Sequence, residues 1–366
     1  MNDNITLNRA IGGRPTFRRD HRKADGRMLH LYGNSPHNLP IEDETADPIA
    51  QGGEIRRHPL RQEWNVYAAH RQNRTFKPSA ADDPLAPTVP DGNTTEIPFS
   101  DFEVAVFENK FAAFHPSAGS ASNLSGLDIE PAKGACDVIV YAPDTTGSFH
   151  SLGADRCKTI ISAILDRYET HFAAGCDYVL PFENRGDEVG VTLHHPHGQI
   201  YGFDHVPQIQ QRAIDAFANG YDLAAEIEMA MPDYGLGETG GMAAFVPRFA
   251  RFPYETWIAP IQQRSGPWDC SDEELGALSY WLGEITRRYD VLFQQPAATM
   301  MAFHAAPNPN SGKGAPGYHF TVQFYPILRA PGRIKYLASV EQHTGTFTVD
   351  VMPEAAVAAL RKQAYG

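Results

Sequence analysis

The chain has 366 residues, 42% apolar and 20% charged, and its 31 basic and 44 acidic side chains give a net charge of −13. This composition is that of a globular protein long enough for more than one domain, and its acidity argues against a generally basic surface for nucleic acid. The four cysteines form no CxxC pair, so neither a disulfide framework nor a thiolate zinc site is indicated. No apolar run approaches the roughly 20 residues that cross a bilayer, and the N-terminus has no hydrophobic signal core. We therefore expect a cytoplasmic protein without membrane contact.

The predicted elements of the first part of the chain are mostly strands. Residues 1–53 are rich in polar residues, Gly and Pro, and predict a polar N-terminal arm that forms one hairpin strand or pairs with a partner. A first half is expected at 54–225. Short runs rich in β-branched and aromatic residues predict its strands, and one-sided apolar spacing predicts its helix. These strands are expected at 63–71, 102–109, 136–143, 177–184 and within 191–203, with the helix at 153–172.

The second half, 226–366, repeats this order of elements. The run 254–260 resembles 136–143, and Ser271 with Glu274 forms a capping box that predicts the start of a second helix. The spacing from Tyr168 to Phe182 is 14 residues, as is that from Tyr289 to Phe303, and each copy ends in a strand. The pattern predicts a tandem repeat of a strand–helix–strand–strand unit of about 120 residues.

The sequence His194-His195-Pro196-His197-Gly198-Gln199 occurs only in the first copy. In an extended chain, alternate residues point the same way, so His195, His197 and Gln199 are expected to share a face. A neutral imidazole is a good nucleophile near pH 7, and an amide donor can stabilise a phosphoryl oxygen, so we assign catalytic roles to these three residues. A surface histidine cluster and an imidazole metal site are the alternatives.

Two further stretches suit phosphate binding. Asn184, Gly186, Gly190 and Thr192 follow a predicted strand, where glycines allow a turn whose backbone N–H groups approach an anion. Arg71 and Arg74 follow another strand, and guanidinium groups bind phosphate oxygens in pairs, although a solvated charged turn would have the same sequence.

With these motifs taken together, residues 54 to about 360 resemble the galactose-1-phosphate uridylyltransferase family, a branch of the histidine triad superfamily. The resemblance rests on the motif from Asn184 to Gln199, on the runs 63–76 and 106–114, and on Lys335 with Glu341 near the C-terminus. It implies an α+β fold of two fused histidine-triad-like halves, in which antiparallel half-barrel sheets are flanked by helices. The catalytic motif is lost from the second half.

The resemblance also implies a reaction and the residues that perform it. UMP would be exchanged between UDP-glucose and a hexose 1-phosphate, with galactose 1-phosphate as the expected acceptor, through a uridylyl group held on His197. Nucleotide binding is implied for Arg71, Arg74, Asn109, Asn184, Gly186, Gly190, Thr192 and Gln199. The pair Lys335 and Glu341 would contact the sugar phosphate. The chain would act as a homodimer whose partner helps complete each site, and no nucleic acid is expected as a partner.

Two metal sites of many relatives are expected to be missing, so no cofactor is predicted. A structural zinc would need a CxxC pair and two histidines, but Ala86 and Thr145 stand at two of these positions and only His195 is present. A second metal site would use histidines of the last core strand, where this chain has Thr321 and Gln323 and keeps only His304.

Two other functions stay open at this stage. One is a related transferase or phosphorylase that acts on a different nucleoside diphosphate sugar or on a dinucleotide. The other is a degenerate protein that binds nucleotide without turnover. The region around Lys335 and Glu341 bears on the first alternative, because Val340 stands where an aromatic residue is common.

Overall fold

The structure is a computed structural model that describes residues 4–37, 53–73, 78–79, 82–89, 94–98 and 100–364. Its strands, in chain order, are β1 (Ile5–Thr6), β2 (Phe17–Arg22), β3 (Met28–Gly33), β4 (Glu54–Arg57), β5 (Trp64–Tyr67), β6 (Val104–Glu108), β7 (Ile129–Pro131), β8 (Gly134–Val140), β9 (Tyr178–Arg185), β10 (His197–Phe203), β11 (Gly235–Thr239), β12 (Met242–Phe245), β13 (Thr256–Pro260), β14 (Thr299–His304), β15 (Thr321–Pro326), β16 (Leu328–Ala330) and β17 (Arg333–Ile334). Its helices are α1 (Phe149–Ala173), α2 (Gln208–Ala218), α3 (Leu223–Tyr234), α4 (Asp272–Phe293), α5 (Ser339–Thr344) and α6 (Pro353–Arg361).

One large antiparallel sheet organises the molecule. Its twelve strands follow the order β1-β2-β3-β6-β8-β10-β9-β14-β15-β13-β12-β11. Two smaller sheets, β5-β4-β7 and β16-β17, lie outside it. Sheets and helices are both present and the sheets are antiparallel, so the predicted α+β class is confirmed.

The predicted repeat is visible in the order of the strands. The units β8–α1–β9–β10 and β13–α4–β14–β15 have the same sequence of elements, and in the sheet they meet where β9 pairs with β14. On one side of this junction the order is β9-β10-β8, and on the other it is β14-β15-β13. The two units are therefore related by an approximate twofold arrangement within one continuous sheet.

Both helices of the repeat pack on the same face of the sheet. A single buried cluster joins side chains of α1, α4 and the central strands, including Ile164, Leu282 and Phe324. The predicted capping box begins α4, since Ser271 Oγ accepts from Glu274 N at 3.1 Å and Glu274 Oε2 accepts from Ser271 N at 2.6 Å. Because the two units share one sheet and one core, the boundary at 225/226 stays a prediction.

The described part of the N-terminal segment is built into the sheet. Strand β2 pairs with β3, and β3 pairs with β6, so residues 17–33 extend the edge next to the first unit. Leu29 and Leu31 alternate along β3 and are fully buried. This differs from the predicted polar arm because the charged residues of β2 are neutralised in place: Arg18 Nη1, for example, lies 2.6 Å from Asp166 Oδ1 of α1.

Two further findings agree with the composition. All four cysteines are buried and free. Within the part of the chain that the structure describes, no helix has the length and apolar character needed to span a membrane.

Candidate active site

The strand β10 carries the predicted nucleophile on the face of the sheet opposite the helices. His197, Gln199 and Tyr201 are partly exposed, whereas Gly198 and Ile200, between them, are buried. Ile200 belongs to the same cluster as the helices α1 and α4. Of the three residues predicted to share a face, His195, His197 and Gln199, the two that lie in β10 show the predicted alternation. The side chains of His197 and Gln199 leave the sheet on the side that the two helices do not cover.

The ring of His197 is oriented by its own chain. Its Nδ1 lies 2.7 Å from the backbone oxygen of His195, and a carbonyl oxygen only accepts, so Nδ1 carries the proton. The lone pair of the neutral ring is then on Nε2. Burial lowers the pKa of His197 and outweighs the effect of this hydrogen bond, which favours the neutral ring at physiological pH. The geometry is that of a nucleophilic imidazole.

His195, two residues before the first residue of β10, is held at both ring nitrogens. Nδ1 lies 2.8 Å from Asp83 Oδ2, and Nε2 lies 2.8 Å from the backbone oxygen of Ala142. Its side chain is fully buried. Burial alone would raise the pKa of Asp83, but the hydrogen bonds from His195 and from the Leu85 backbone bring it below its ordinary value. These contacts fix the ring of His195 between Asp83 and Ala142, and the catalytic role assigned to His195 stays a prediction.

The residues upstream of the nucleophile form the loop that the sequence predicted. Gly186 (φ 98°) and Gly190 (φ 79°) both have a positive φ, which glycine adopts without strain. Asn184 lies at the end of β9, where the pairing of Phe182 with Gln199, continued by two residues, brings Asn184 to the position of His197. Thr192 is partly exposed in the segment that leads into β10. Asn184, Gly186, Gly190 and Thr192 are therefore all close in the chain to the nucleophile strand, and their nucleotide contacts stay predictions.

Arg71 reaches the same face from a 3-10 turn, Ala69–Asn73. Its Nη1 donates to the Phe111 backbone oxygen at 2.7 Å, and its guanidinium lies beside the hydroxyl of Tyr201. Tyr201 is two residues beyond Gln199 on the exposed side of β10. The predicted partner of Arg71, Arg74, lies outside the described residues.

Asn109 contacts the same residue as Arg71, Phe111. Its Oδ1 accepts from the Phe111 backbone N–H at 2.8 Å, and its side chain lines a cavity of about 550 Å³. That cavity is also lined by Asp137 and Arg167, on the helix side of the sheet. The side-chain carbonyl of Asn109 therefore stabilises the turn after β6.

Lys335 and Glu341 form a buried ion pair near the C-terminus. Lys335 Nζ lies 2.7 Å from Glu341 Oε1, and Thr348 Oγ1 donates to the same oxygen at 2.6 Å. These donors hold the pKa of Glu341 well below its usual range. The same segment contacts the second unit, where Phe347 packs against Phe252 with 5.7 Å between ring centroids. The structure therefore brings Lys335 and Glu341 together, in the second half of the molecule rather than on the strand that carries His197.

Asp83 is the residue near the site that the motif analysis did not assign. It lies 112 positions before His195 in the chain, and no spacing rule connects an aspartate to a histidine at that distance. The only sequence signal is indirect: an acidic residue occurs where a metal-binding segment would carry thiolates.

The comparisons with known proteins concern the sequence and the fold. A family model described as the N-terminal domain of galactose-1-phosphate uridyl transferase matches residues 42–207. The galactose-1-phosphate uridylyltransferase of Thermotoga maritima is 32% identical over 320 residues, covering 84% of this chain and 98% of that protein. The enzyme of the same name from Streptomyces lividans is 30% identical over 301 residues, covering 78% of this chain and 80% of that one.

A solved structure supports the same fold. A structure described as that of a uridylyltransferase superposes with a TM-score of 0.74 at 24% identity, covering 85% of this chain and 98% of that chain. At this identity the likeness concerns the fold, while the Thermotoga maritima relative extends the sequence similarity across nearly its whole length. The chain belongs to the galactose-1-phosphate uridylyltransferase family.

Proposed function

We propose that this protein exchanges UMP between UDP-glucose and galactose 1-phosphate in a two-step, ping-pong reaction with His197 as the nucleophile. The observation that carries the proposal is the hydrogen bond from His197 Nδ1 to the His195 backbone oxygen, which leaves the lone pair on Nε2. Membership of the family supports the choice of substrates.

In the first step, Nε2 of His197 attacks the α-phosphorus of UDP-glucose. The bond from that phosphorus to the bridging oxygen breaks, and its electron pair leaves with glucose 1-phosphate. In the second step, a phosphate oxygen of galactose 1-phosphate attacks the same phosphorus, the P–N bond breaks, and its electron pair returns to Nε2. UDP-galactose is released and the imidazole is regenerated, so no external base is consumed.

The other polar groups on this face have roles that follow from the charge of the intermediate. Gln199 would donate to a phosphoryl oxygen as negative charge moves onto it, which is the effect of an oxyanion-hole donor. Arg71 and Asn184 would bind the phosphates, and the loop of Gly186, Gly190 and Thr192 would supply N–H and hydroxyl donors. The lowered pKa of His197 supports this assignment, because only the neutral ring is a nucleophile.

The sugar phosphate would be bound across a homodimer, with Lys335 and Glu341 supplied by the partner. Support comes from the apolar side chains around that ion pair. The side chain of Tyr336 is 71% exposed and that of Val340 is 50% exposed. Leu60 is 89% exposed, and the next residue, Arg61, donates to the Gln342 backbone oxygen. Clustered exposed apolar side chains mark interaction surfaces. Nucleotide sugars are charged and do not cross membranes unaided, so the cytoplasm is the proposed location.

The test is intact-mass spectrometry after incubation with UDP-glucose alone, with ADP-glucose and other nucleotide sugars in parallel. We expect the mass of one uridylyl group to be added to the wild type and none to His197→Ala. Addition of galactose 1-phosphate should then remove the adduct and release UDP-galactose.

Other outcomes would replace the proposal. An adduct formed only with ADP-glucose or another donor would assign a different nucleotide. An adduct that persists in His197→Ala would exclude His197 as the nucleophile. Binding of UDP-glucose without any adduct would identify a nucleotide-binding protein without turnover.

A further inference from the structure

The strand that carries the nucleophile is fixed to a distant loop by a buried histidine–carboxylate pair. Asp83 Oδ2 lies 2.8 Å from His195 Nδ1, and both side chains are largely withdrawn from solvent. A hydrogen bond to an ionised carboxylate is stronger than one between neutral groups, and more so where water is excluded. This pair is therefore suited to hold the His195 ring in a single orientation.

The loop that presents Asp83 is itself well anchored. Asp83 Oδ1 accepts from the Leu85 backbone N–H at 3.0 Å, and Leu85 is buried against Leu29 and Phe107 of the sheet. Further along, Thr88 N donates to the Ile97 backbone oxygen at 2.8 Å, and Ile97 belongs to the same buried cluster. The carboxylate is thus presented to His195 by a packed segment.

The contact between Asp83 and His195 affects the position of His197 Nε2 through the other hydrogen bonds of His195. The second ring nitrogen of His195 bonds the Ala142 backbone oxygen at 2.8 Å, so the side chain is held at both ends. The backbone oxygen of His195 in turn accepts the Nδ1 proton of His197 at 2.7 Å. The position of that oxygen decides both the tautomer of His197 and the direction of Nε2.

The same geometry does not fit the structural zinc of related proteins. Zinc needs ligand atoms with free lone pairs, commonly four in tetrahedral array. Both ring nitrogens of His195 already face acceptor oxygens, and Ala86, three residues after Asp83, has no ligand atom. Among the described residues, no group of three or more His, Cys, Asp or Glu side chains could hold a metal ion.

We propose that Asp83 is a positioning residue that, through His195, holds His197 in its reactive orientation, and that it does so without a metal. This inference rests on the proposed function, since it concerns the same nucleophile. In this proposal the segment 82–89 does what a bound metal would do, because it connects a loop to the residues that lead into β10.

The test measures the first half-reaction in a single turnover at saturating UDP-glucose. The variants are Asp83→Ala, Asp83→Asn and, as a matched control, Asp82→Asn, which removes the charge of the neighbouring exposed residue, itself bonded to Ser79. The amplitude of adduct formation reports the fraction of folded enzyme, and the rate constant reports the chemistry. The same wild-type sample is labelled before and after treatment with a metal chelator.

We expect Asp83→Ala to lower the rate constant roughly tenfold to hundredfold, the usual range for a residue that orients a functional histidine. Asp83→Asn keeps one acceptor oxygen and should lose less, while Asp82→Asn should react at the wild-type rate. Chelation should leave wild-type labelling unchanged. If Asp83→Ala does not fold, Asp83→Asn must still react more slowly than Asp82→Asn.

Two results would overturn the proposal while leaving the proposed function intact. One is a wild-type rate constant in the Asp83 variants, whatever their amplitude. The other is loss of wild-type labelling on chelation and its return with Zn²⁺. If the wild type itself forms no adduct, the proposed function fails and the role of Asp83 fails with it.

Discussion

The reactivity of His197 depends on where one proton is held. Its Nδ1 proton is bound by the His195 backbone oxygen, and burial lowers the pKa of the ring. The strand period was enough to predict that His197 and Gln199 share a face. It did not identify Asp83, because the contact between Asp83 and His195 joins two segments that lie more than a hundred residues apart in the chain and meet only in the folded protein.

At this scale the first prediction concerns pH. A lowered pKa keeps His197 neutral further into the acidic range, so the acidic limb of kcat/KM for UDP-glucose should be centred below pH 6.5. An ordinary histidine, with a pKa near 6.5, would already have lost about half of its reactive form at pH 6.5. The measurement is a pH–rate profile of the first half-reaction.

Glu183 requires a control, because burial raises its pKa to about 7 and it titrates in the same range. It lies on the helix side of β9, next to Phe182 in the chain. We expect Glu183→Gln to leave the acidic limb of the pH–rate profile where it is in the wild type. An acidic limb centred at pH 6.5 or above in both proteins would contradict the assignment of a lowered pKa to His197.

Among the elements, β10 presents His197 and Gln199 on one face and packs closely against its neighbours on the other, with two glycines among its seven residues. Gly198 is the closest contact, since a Cβ there would meet the Tyr141 hydroxyl and lie 2.8 Å from the Phe182 backbone oxygen. The motif could be recognised in the sequence, but the need for a glycine arises from Tyr141, which directly follows the neighbouring strand β8.

We predict that Gly198→Ala destabilises the protein by about 1–3 kcal/mol, as expected when a packed interior must accept an extra carbon. Because β10 would have to move, the rate of adduct formation should also fall. The measurements are urea denaturation and single-turnover labelling.

The matched control is Gly276→Ala in α4, where a Cβ would meet nothing within 4 Å. In a helix this change should stabilise by about 0.5–1 kcal/mol. A Gly198→Ala variant as stable and as fast as the wild type would show that β10 tolerates the displacement.

At the scale of the whole molecule, the predicted nucleophile and the predicted sugar-phosphate ligands belong to different halves of the chain. The two units share a sheet and a core, yet His197 belongs to β10 and Lys335 follows β17 beyond the second unit. The ion pair of Lys335 with Glu341 is surrounded by exposed apolar side chains, including Tyr336. A twofold dimer would bring such a surface to a partner chain, and isologous contacts are the commonest kind.

The prediction is complementation between two inactive variants. One chain carries His197→Ala, and the other carries Lys335→Met with Glu341→Gln, which removes both members of the buried pair so that no charge is left unpaired. Co-expressed with different tags and purified as a mixed dimer, they should have one complete site, or about half of the wild-type activity per dimer.

The corresponding homodimers of each variant should be inactive and serve as controls. If the mixed dimer is also inactive, Lys335 and His197 act within one chain. A monomer in light scattering of the wild type would contradict the dimer itself.

The family resemblance supplied the α+β class, while the sequence by itself determined the repeat, the capping of α4 and the shared face of His197 and Gln199. These features depend on local chemistry: alternation along a strand, apolar spacing along a helix, and a side chain that caps the turn next to it. Only the tertiary structure decided that residues 17–33 pair into the sheet, that Asp83 contacts His195, and that Phe347, beyond the Lys335–Glu341 pair, packs against Phe252 of the second half. Each of these is a contact between segments far apart in the chain, whose formation depends on packing and burial rather than on any local pattern.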